Sequence, residues 1–173
     1  MTELTLRPAT PDDVPALSRL AIDAFNAKFA HLYSAQDLAA FLSEALEEGP
    51  IAAELAKPSN LIQLAEAGGR LAGYCKISLV CGFPRHARGA KAMELKQLYT
   101  AAGATGMGIG TVLMDWAMGQ FAARGADEVQ LSVYSENFGA HRFYERYGFA
   151  RVADITFKVG EQLDPEFLFA RML

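Results

Sequence analysis

Apolar and polar residues alternate at the start of the chain, and the pattern then changes to a helical period. Leu4 and Leu6 stand between polar neighbours, which predicts a first strand. Pro11-Asp12-Asp13 offers a rigid first turn and two carboxylates near the positive end of a helix dipole, so a helix is expected to begin there. The predicted apolar side of this helix contains Leu17, Leu20, Ile22 and Phe25.

A second helix is predicted for residues 35–48, with Ser34 as its N-cap and Gly49-Pro50 as its end. A short third helix is predicted for residues 51–57. The buried stripe of the second helix is expected to contain Leu38, Phe41, Leu42 and Leu46.

Two strand-like runs, 61–65 and 71–80, are joined by Gly68-Gly69, the pair that most readily takes the positive φ angles of a tight hairpin. Beyond the loop at 82–91, strands and helices alternate, which is typical of a crossover connection within a mixed sheet. The elements predicted there are a strand at 92–100, a helix at 109–124, a strand at 128–134, a helix at 137–147 and a strand at 151–159.

Asp164-Pro165 is predicted to turn into a last apolar run, Phe167 to Met172, which fits either a core strand or an interface. The whole order of elements predicts one α+β domain over residues 1–173.

Composition narrows the function classes. The 173 residues are 51% hydrophobic and 21% charged, which suits one domain with a full core. The net charge of -4 leaves no general basic surface, so nucleic acid is not expected as a partner. No apolar run approaches the roughly 20 residues of a membrane-spanning helix, so no membrane partner is expected.

The N-terminus lacks the basic and apolar segments of a signal peptide, and the two cysteines fit neither a disulfide framework nor a metal site. We therefore expect free thiols at Cys75 and Cys81, no bound metal and a cytoplasmic location.

A glycine-rich turn precedes the predicted helix at 109–124. Glycines at 106, 108 and 110 let the backbone approach a ligand closely, and the free N–H groups of the first helical turn suit a phosphate or pyrophosphate. A nucleotide P-loop would need a Gly-Lys-Ser/Thr end, and a dinucleotide fingerprint would need glycine at Thr111. The alternative is that these glycines only allow tight packing of helix on sheet.

A second motif follows in the helix predicted to begin at Ser135 and to end at Gly148, with Phe149 closing over its end. Asn137 and Tyr144 are seven residues apart, so both lie on one face, about 10 Å apart along the axis. The alternative interpretation of Tyr144 is a buried tyrosine with a satisfied hydroxyl group.

Together the two motifs resemble the GNAT family of N-acetyltransferases. The resemblance rests on Glu94-Leu95-Lys96-Gln97-Leu98-Tyr99, on Thr105-Gly106-Met107-Gly108-Ile109-Gly110, and on Asn137-x-x-Ala140-x-x-Phe143-Tyr144-x-x-x-Gly148-Phe149. It covers roughly residues 4–159. It implies a mixed, mostly antiparallel sheet of about seven strands with helices on both faces, and acetyl-CoA as cosubstrate.

The resemblance also implies site residues. In the family, the fourth strand splays from the fifth, and the pantetheine arm of acetyl-CoA pairs with backbone between them. This places Leu98, Tyr99 and Thr100 beside the arm, with Asn137 in contact with it and Tyr144 by the sulfur. The residues implied for the pyrophosphate are Thr105, Gly106, Met107, Gly108, Ile109, Gly110 and Thr111.

Acetyl transfer to an amine needs a proton for the departing thiolate and an acceptor for the amine proton. Tyr144 stays protonated at neutral pH and is the predicted donor. Glu94 is the predicted proton acceptor, directly or through water. Alternation along a strand does not determine on which face of the sheet Glu94 lies, so the alternative is a solvated carboxylate at the end of a strand.

The chain departs from the family at three places. The family usually has Gln or Arg at the position of Thr105 and often a basic residue at that of Met107, so pyrophosphate binding is expected to rest on backbone N–H groups and the helix dipole. Thr100-Ala101-Ala102 replaces the usual Val-x-Pro.

The acceptor is expected to be a small primary amine. Residues 31–56 contain five carboxylates and no Lys or Arg between His31 and Ala56, a local negative field that would favour a cation, although solvated charges on a helix face are the simpler interpretation. The stretches Phe29 to Leu42 and Glu94 to Tyr99 and the ending Phe157-x-Val159-Gly160 more loosely resemble bacterial polyamine N-acetyltransferases, and this resemblance implies a polyamine. The alternatives are an N-acetyltransferase for protein N-termini or lysines and a non-catalytic acyl-CoA-binding module. A homodimer is compatible with each of these functions.

Overall fold

Seven β-strands form one sheet in residues 2–104 and 106–173, which the computed structural model describes. The strands are β1 (Leu4–Pro8), β2 (Asn60–Ala67), β3 (Arg70–Ser78), β4 (Ala92–Thr100), β5 (Glu128–Tyr134), β6 (Ala150–Val159) and β7 (Gln162–Met172). Their spatial order is β1-β2-β3-β4-β5-β7-β6. Neighbouring strands are antiparallel except β4 and β5, which run parallel. The predicted α+β class and mixed, mostly antiparallel sheet are confirmed.

Helices cover both faces of the sheet. In the described residues they are α1 (Val14–Phe29), α2 (Ala35–Phe41), α3 (Glu48–Ala56), α4 (Ile109–Ala123) and α5 (Phe138–Arg146). The predicted crossover is confirmed, because α4 joins the parallel strands β4 and β5.

Two hydrophobic cores lie on opposite faces of the sheet, because successive strand residues point to opposite sides. On β3, for example, Cys75 packs in the core beneath α4, and its neighbour Tyr74 packs in the core beneath α1, α2 and α3. The first core includes Ile109, Leu113 and Phe121 of α4, and the second includes Leu17, Phe25 and Phe41. We call these faces the α4 face and the α1 face.

The predicted end of the second helix is wrong. Ser34 caps α2 as expected, since its Oγ accepts a hydrogen bond from the Asp37 N–H at 3.1 Å. A π-helical turn, Leu42–Leu46, continues the helix, and the chain breaks at Glu47. Pro50 lies in the first turn of α3, where a missing N–H costs nothing, so Gly49-Pro50 begins a helix here instead of ending one.

The last strand is longer than the sequence pattern predicts. Asp164-Pro165 was expected to turn, but both residues lie within β7, and the chain turns earlier, at Gly160. The run from Phe167 to Met172 is a core strand, because β7 pairs with β5 on one side and with β6 on the other. The hairpin at Gly68-Gly69 is confirmed, with φ values of 58° and 75°.

Candidate active site

The parallel strands β4 and β5 separate after three residue pairs. Ala92, Met93 and Glu94 pair with Glu128, Val129 and Gln130, and no pair joins the two strands beyond Glu94 in the described register. Both strands nevertheless continue, β4 to Thr100 and β5 to Tyr134. A wedge-shaped gap therefore opens in the middle of the sheet.

A cleft of about 650 Å³ passes through this gap. Its walls include Leu98, Ala140 and Tyr144, which pack with the α4-face core, and Phe25 and Phe41 from the α1-face core. The cleft therefore reaches both faces of the sheet and gives two ligands access to one point from opposite sides.

One edge of β4 is free along the cleft. Leu98, Tyr99 and Thr100 pair with Cys75, Tyr74 and Gly73 of β3 on one side only, and all three line the cleft. Backbone N–H and C=O groups on their open side have no strand partner in the described residues, so they are available to an extended ligand. These are the three residues predicted to lie beside pantetheine.

The glycine-rich turn lies between β4 and α4. Gly106 and Gly108 have φ values of 82° and 75°, and a Cβ at either position would meet nothing within 4 Å. The backbone here is therefore left-handed and open to approach. Thr105, which was also predicted to bind pyrophosphate, lies outside the described residues.

The first turn of α4 leaves N–H groups free for an anion. Gly108 is its N-cap and provides no side-chain cap, so the N–H groups of Ile109, Gly110 and Thr111 lack acceptors within the helix. Met107 is 45% exposed beside them. A 15-residue helix with an uncapped, glycine-lined N-terminus fits a pyrophosphate held by backbone groups, and the free edge of β4 fits its pantetheine arm.

The structure places Asn137 and Tyr144 on the same cleft, with a correction to the helix start. Asn137 and not Ser135 caps α5, and its Oδ1 accepts a hydrogen bond from the Ala140 N–H at 3.3 Å. Gly148 ends the helix with a φ of 85°, and Phe149 is buried, as predicted.

Tyr144 directs its phenol into the cleft without a hydrogen-bond partner among the described residues. Phe143 and Phe149 hold the ring, with centroid distances of 5.3 and 6.1 Å. Burial, with smaller effects of Cys75 and Tyr99, raises the pKa of the phenol well above its ordinary value. The phenol is thus protonated at every physiological pH and free to donate, unlike a tyrosine whose hydroxyl is already satisfied.

Glu94 points to the α1 face, which the sequence alone could not decide. Met93 and Leu95 on either side of it pack in the α4-face core, so the carboxylate between them lies on the other side and lines the cleft. Burial raises its pKa, although the charges of Lys96 and Lys76 partly offset this. It is a half-buried cleft carboxylate and not a solvated strand end.

Glu54 on α3 lines the same cleft but is already neutralised. Lys57 and Lys76 donate hydrogen bonds to its carboxylate, and Lys96 lies at 3.4 Å. Burial alone would raise the pKa of Glu54, but these cations outweigh burial and lower it to about 2.

Sequence reasoning missed Glu166 on β7. Its side chain lines the cleft on the α1 face and is only 9% exposed, and its Oε2 accepts a hydrogen bond from Ser132 Oγ at 3.2 Å. Burial raises its pKa to about 7; the bond from Ser132 opposes this shift and the charge of Asp164 adds to it. The available signal was a carboxylate directly before the apolar run that begins at Phe167, and the predicted turn at Asp164-Pro165 concealed it.

Aromatic rings form the wall of the cleft on the α1 face, which sequence reasoning also missed. Phe29 meets Tyr134 edge-on at 6.0 Å, and Phe41 meets Phe157 at 5.7 Å. Of the five carboxylates in the acidic segment, Glu44 and Glu54 line the cleft, while Asp37 binds the Glu161 N–H at 2.9 Å. The negative field predicted from this segment is thus only partly directed at the cleft.

Within the described ranges, no group of three or more His, Cys, Asp or Glu side chains could hold a metal ion. No helix of that part of the chain is long and apolar enough to cross a membrane. Cys75 and Cys81 are free thiols, the first buried and the second half-buried.

The chain is similar to known acetyltransferases. Residues 22–149 match the acetyltransferase (GNAT) family. An uncharacterised N-acetyltransferase of Lactobacillus delbrueckii subsp. lactis is 23% identical over 173 residues, covering 100% of this chain and 99% of the relative. One of Mycobacterium bovis is 29% identical over 161 residues, or 93% of this chain and 98% of the relative.

The fold has clear counterparts among solved structures. A PaiA N-acetyltransferase from Thermoplasma acidophilum, solved in complex with coenzyme A, superposes with a TM-score of 0.81 at 19% identity over 99% of both chains. This likeness shows a shared fold. The family match spans most of the chain, so the protein belongs to the acetyltransferase (GNAT) family and is an acetyl-CoA-dependent acyltransferase.

Proposed function

We propose that this protein acetylates a small primary amine, such as a polyamine, at the cleft between β4 and β5. The observation that carries the proposal is the passage of the cleft through the sheet, with free backbone groups and Tyr144 on one side and Glu94 on the other. In sum, a protonated amine and acetyl-CoA give an acetamide, the free thiol and one proton.

Acetyl-CoA supplies an activated acetyl thioester when it binds. Its pyrophosphate would be held by the N–H groups of residues 106–111, with Thr105 included as a proposal. Its pantetheine arm would run along the free edge of Leu98, Tyr99 and Thr100, with Asn137 opposite. The basic side chains usual in this turn are replaced by Thr105 and Met107, so backbone groups and the dipole of α4 provide the attraction.

Tyr144 is the proposed acid. Its phenol has a raised pKa and no competing hydrogen-bond partner in the described residues, so its proton is held until the thiolate departs. A positioned acid of this kind typically accelerates a reaction by about 10²- to 10⁴-fold.

Glu94 is the proposed proton acceptor for the amine, directly or through water. Its carboxylate lies on the α1 face, across the gap from Tyr144, and burial raises its pKa above that of a solvated carboxylate. With a base and an acid on opposite sides of the gap, the base can take a proton from the amine and the acid can give one to the thiolate without direct proton exchange between them.

The lining of the α1 face supports a cationic acceptor. Glu44, Glu94 and Glu166 supply negative charge there, and Phe29 and Tyr134 supply ring faces on which an ammonium or a methylene chain can lie. The leading acceptor class is therefore a polyamine or a related small amine.

Thiol release from acetyl-CoA with a panel of amines tests the proposal. The panel contains spermidine, spermine, simple alkylamines, free lysine and peptides with a free N-terminus. Turnover with the small amines is expected; turnover restricted to peptides would replace the small-molecule acceptor with a protein, and tight coenzyme A binding with no turnover would indicate a binding module.

A further inference from the structure

Glu166 has no part in the proton transfers described so far. On β7 it stands opposite Tyr134 of β5 and Ile155 of β6. Its Oε2 accepts a hydrogen bond from Ser132 Oγ at 3.2 Å, and within the described residues no hydrogen bond reaches its Oε1. A carboxylate that is nine-tenths buried, lines the cleft and keeps one oxygen free is a prepared site for a proton or a cation.

The groups around Glu166 are acids and phenols. Asp164 lies on its own strand and is engaged by Tyr33 and by Gln162 at 2.8 Å. The charge of Glu166 affects the phenols of Tyr33, Tyr99 and Tyr134, which come from the segment before α2, from β4 and from β5.

No cation compensates Glu166 in the part of the chain that the structure describes. Lys28 of α1 lines the cleft, but in the described residues it forms no ion pair or hydrogen bond with Glu166. Glu54, in contrast, has three lysine neighbours. Glu166 is therefore a buried cleft carboxylate whose charge an entering ammonium group would meet without a lysine or arginine already paired to it.

Acetylation of a protonated amine removes two protons from its nitrogen. The first must leave before the lone pair can form the C–N bond, and the second leaves as the amide forms. The C–S bond breaks with its electron pair on sulfur, which takes a proton from Tyr144. Of the two protons lost by the nitrogen, one finally replaces the proton that Tyr144 gave to sulfur, and the other goes to solvent. The nitrogen therefore needs two proton acceptors, or one acceptor that acts twice.

We propose that Glu166 accepts the first of these protons, from the entering ammonium group, and that Glu94 accepts the second. The assignment rests on the proposed acetyl transfer and deepens it. Glu166 takes the proton on its free Oε1 while Ser132 holds Oε2, and then releases it to water through the α1 side of the cleft.

The surroundings of the two carboxylates fit this division. A group whose pKa is near the working pH both accepts and releases a proton readily, and that of Glu166 is about 7. Burial raises the pKa of Glu94 as well, but the charges of Lys96 and Lys76 oppose that rise, so Glu94 keeps more of its ionised form than burial alone would leave it.

The test compares E166Q and E94Q with two amines at saturating acetyl-CoA. Butylamine is protonated at neutral pH and must lose both protons. Trifluoroethylamine is neutral there, because its fluorine atoms withdraw electron density, and must lose only the second. E166Q is expected to lower kcat/KM for butylamine by about 10²-fold and to leave that for trifluoroethylamine close to wild type. E94Q is expected to lower both.

Two further variants keep the test interpretable. S132A leaves Glu166 in place and removes the bond that lowers its pKa, so the acidic limb of the butylamine pH profile, near pH 7 in the wild type, should move to higher pH. E161Q removes an exposed carboxylate outside the cleft and should leave kcat/KM unchanged for both amines.

Each outcome decides the assignment. If E166Q lost kcat/KM equally for both amines, or turned over butylamine as fast as wild type does, the role of Glu166 would be overturned. The proposed acetyl transfer would remain intact. A wild-type protein that releases no thiol with any amine would overturn the acetyl transfer and this role together. An unmoved acidic limb in S132A would also count against Glu166.

Discussion

Glu94 and Gln130 form the last residue pair that joins β4 to β5. Gln130 is buried and fixes the neighbouring loop, since its Oε1 accepts from the Phe83 N–H at 3.2 Å and its Nε2 donates to the Phe83 carbonyl at 3.1 Å. The gap in the sheet begins at this pair. The residue that closes the ladder is thus also the carboxylate at the mouth of the cleft.

Replacing the Tyr144 hydroxyl should slow the chemical step. We expect Tyr144→Phe to lower kcat by about 10²-fold with little change in KM for acetyl-CoA, because the ring packing remains and only the proton donor is lost. Tyr147→Phe is the matched control: Tyr147 is the C-cap of the same helix, and its hydroxyl donates a hydrogen bond to Asp115 at 2.7 Å outside the cleft. Initial rates of thiol release measure both variants.

A methyl group at Gly82 should displace the Glu94 carboxylate. A Cβ there would overlap Glu94 Oε2, the end of a flexible side chain, so the fold is retained and the carboxylate moves. We expect Gly82→Ala to reproduce much of the loss in kcat caused by Glu94→Gln. Gly49→Ala, where a Cβ meets nothing within 4 Å, is the control. Normal turnover in Gly82→Ala would show that Glu94 is not needed in this position.

The left-handed backbone at Gly108 should matter for acetyl-CoA binding. A side chain at a φ of 75° costs about 1–2 kcal/mol, so Gly108→Ala is expected to shift the turn and to raise KM for acetyl-CoA by about 5- to 30-fold. Gly119→Ala, within α4 at an ordinary φ, should leave KM unchanged and stabilise the helix slightly. Equal KM values for the two variants would contradict the proposed role of the turn.

Glu166 should make stability depend on pH. Its pKa is raised from 4.5 to about 7, so the folded state holds the proton more firmly than the unfolded state. The resulting stabilisation is full below pH 4.5 and is lost as the pH rises through 7, amounting to about 3 kcal/mol at most.

Glu166→Gln removes this dependence, so the variant should be more stable than wild type at pH 8 and similar to it at pH 5. Urea unfolding at the two pH values measures the difference. A variant that is less stable at both would show that the charge of Glu166 is balanced in the folded state.

Local patterns predicted most of the fold. Alternation, helical spacing and the pair Gly68-Gly69 gave strands and helices close to those observed, because these signals come from neighbours in sequence. The errors at Pro50 and Pro165 arose because proline is compatible both with a break and with a first helical turn or a strand. Tertiary packing determines which of these structures forms at each proline.

The sequence pattern predicts the candidate site residues on the cosubstrate side, but on the acceptor side it predicts Glu94 without its face and omits Glu166. Gly106, Gly108, Asn137 and Tyr144 belong to compact motifs whose spacing is visible in the chain. Glu166 reaches the cleft only because β7 inserts between β5 and β6, a long-range pairing that no local pattern shows.

Acetyl transfer to a small amine in the cleft is tested by thiol release from acetyl-CoA across the amine panel, with mass spectrometry of the product. Amine-dependent thiol release with an acetylated small amine, abolished or strongly reduced in Tyr144→Phe, is the predicted result. No amine-dependent release from folded wild-type protein that binds coenzyme A would contradict acetyl transfer to a small amine, and full activity in Tyr144→Phe would contradict the role of Tyr144 as the acid.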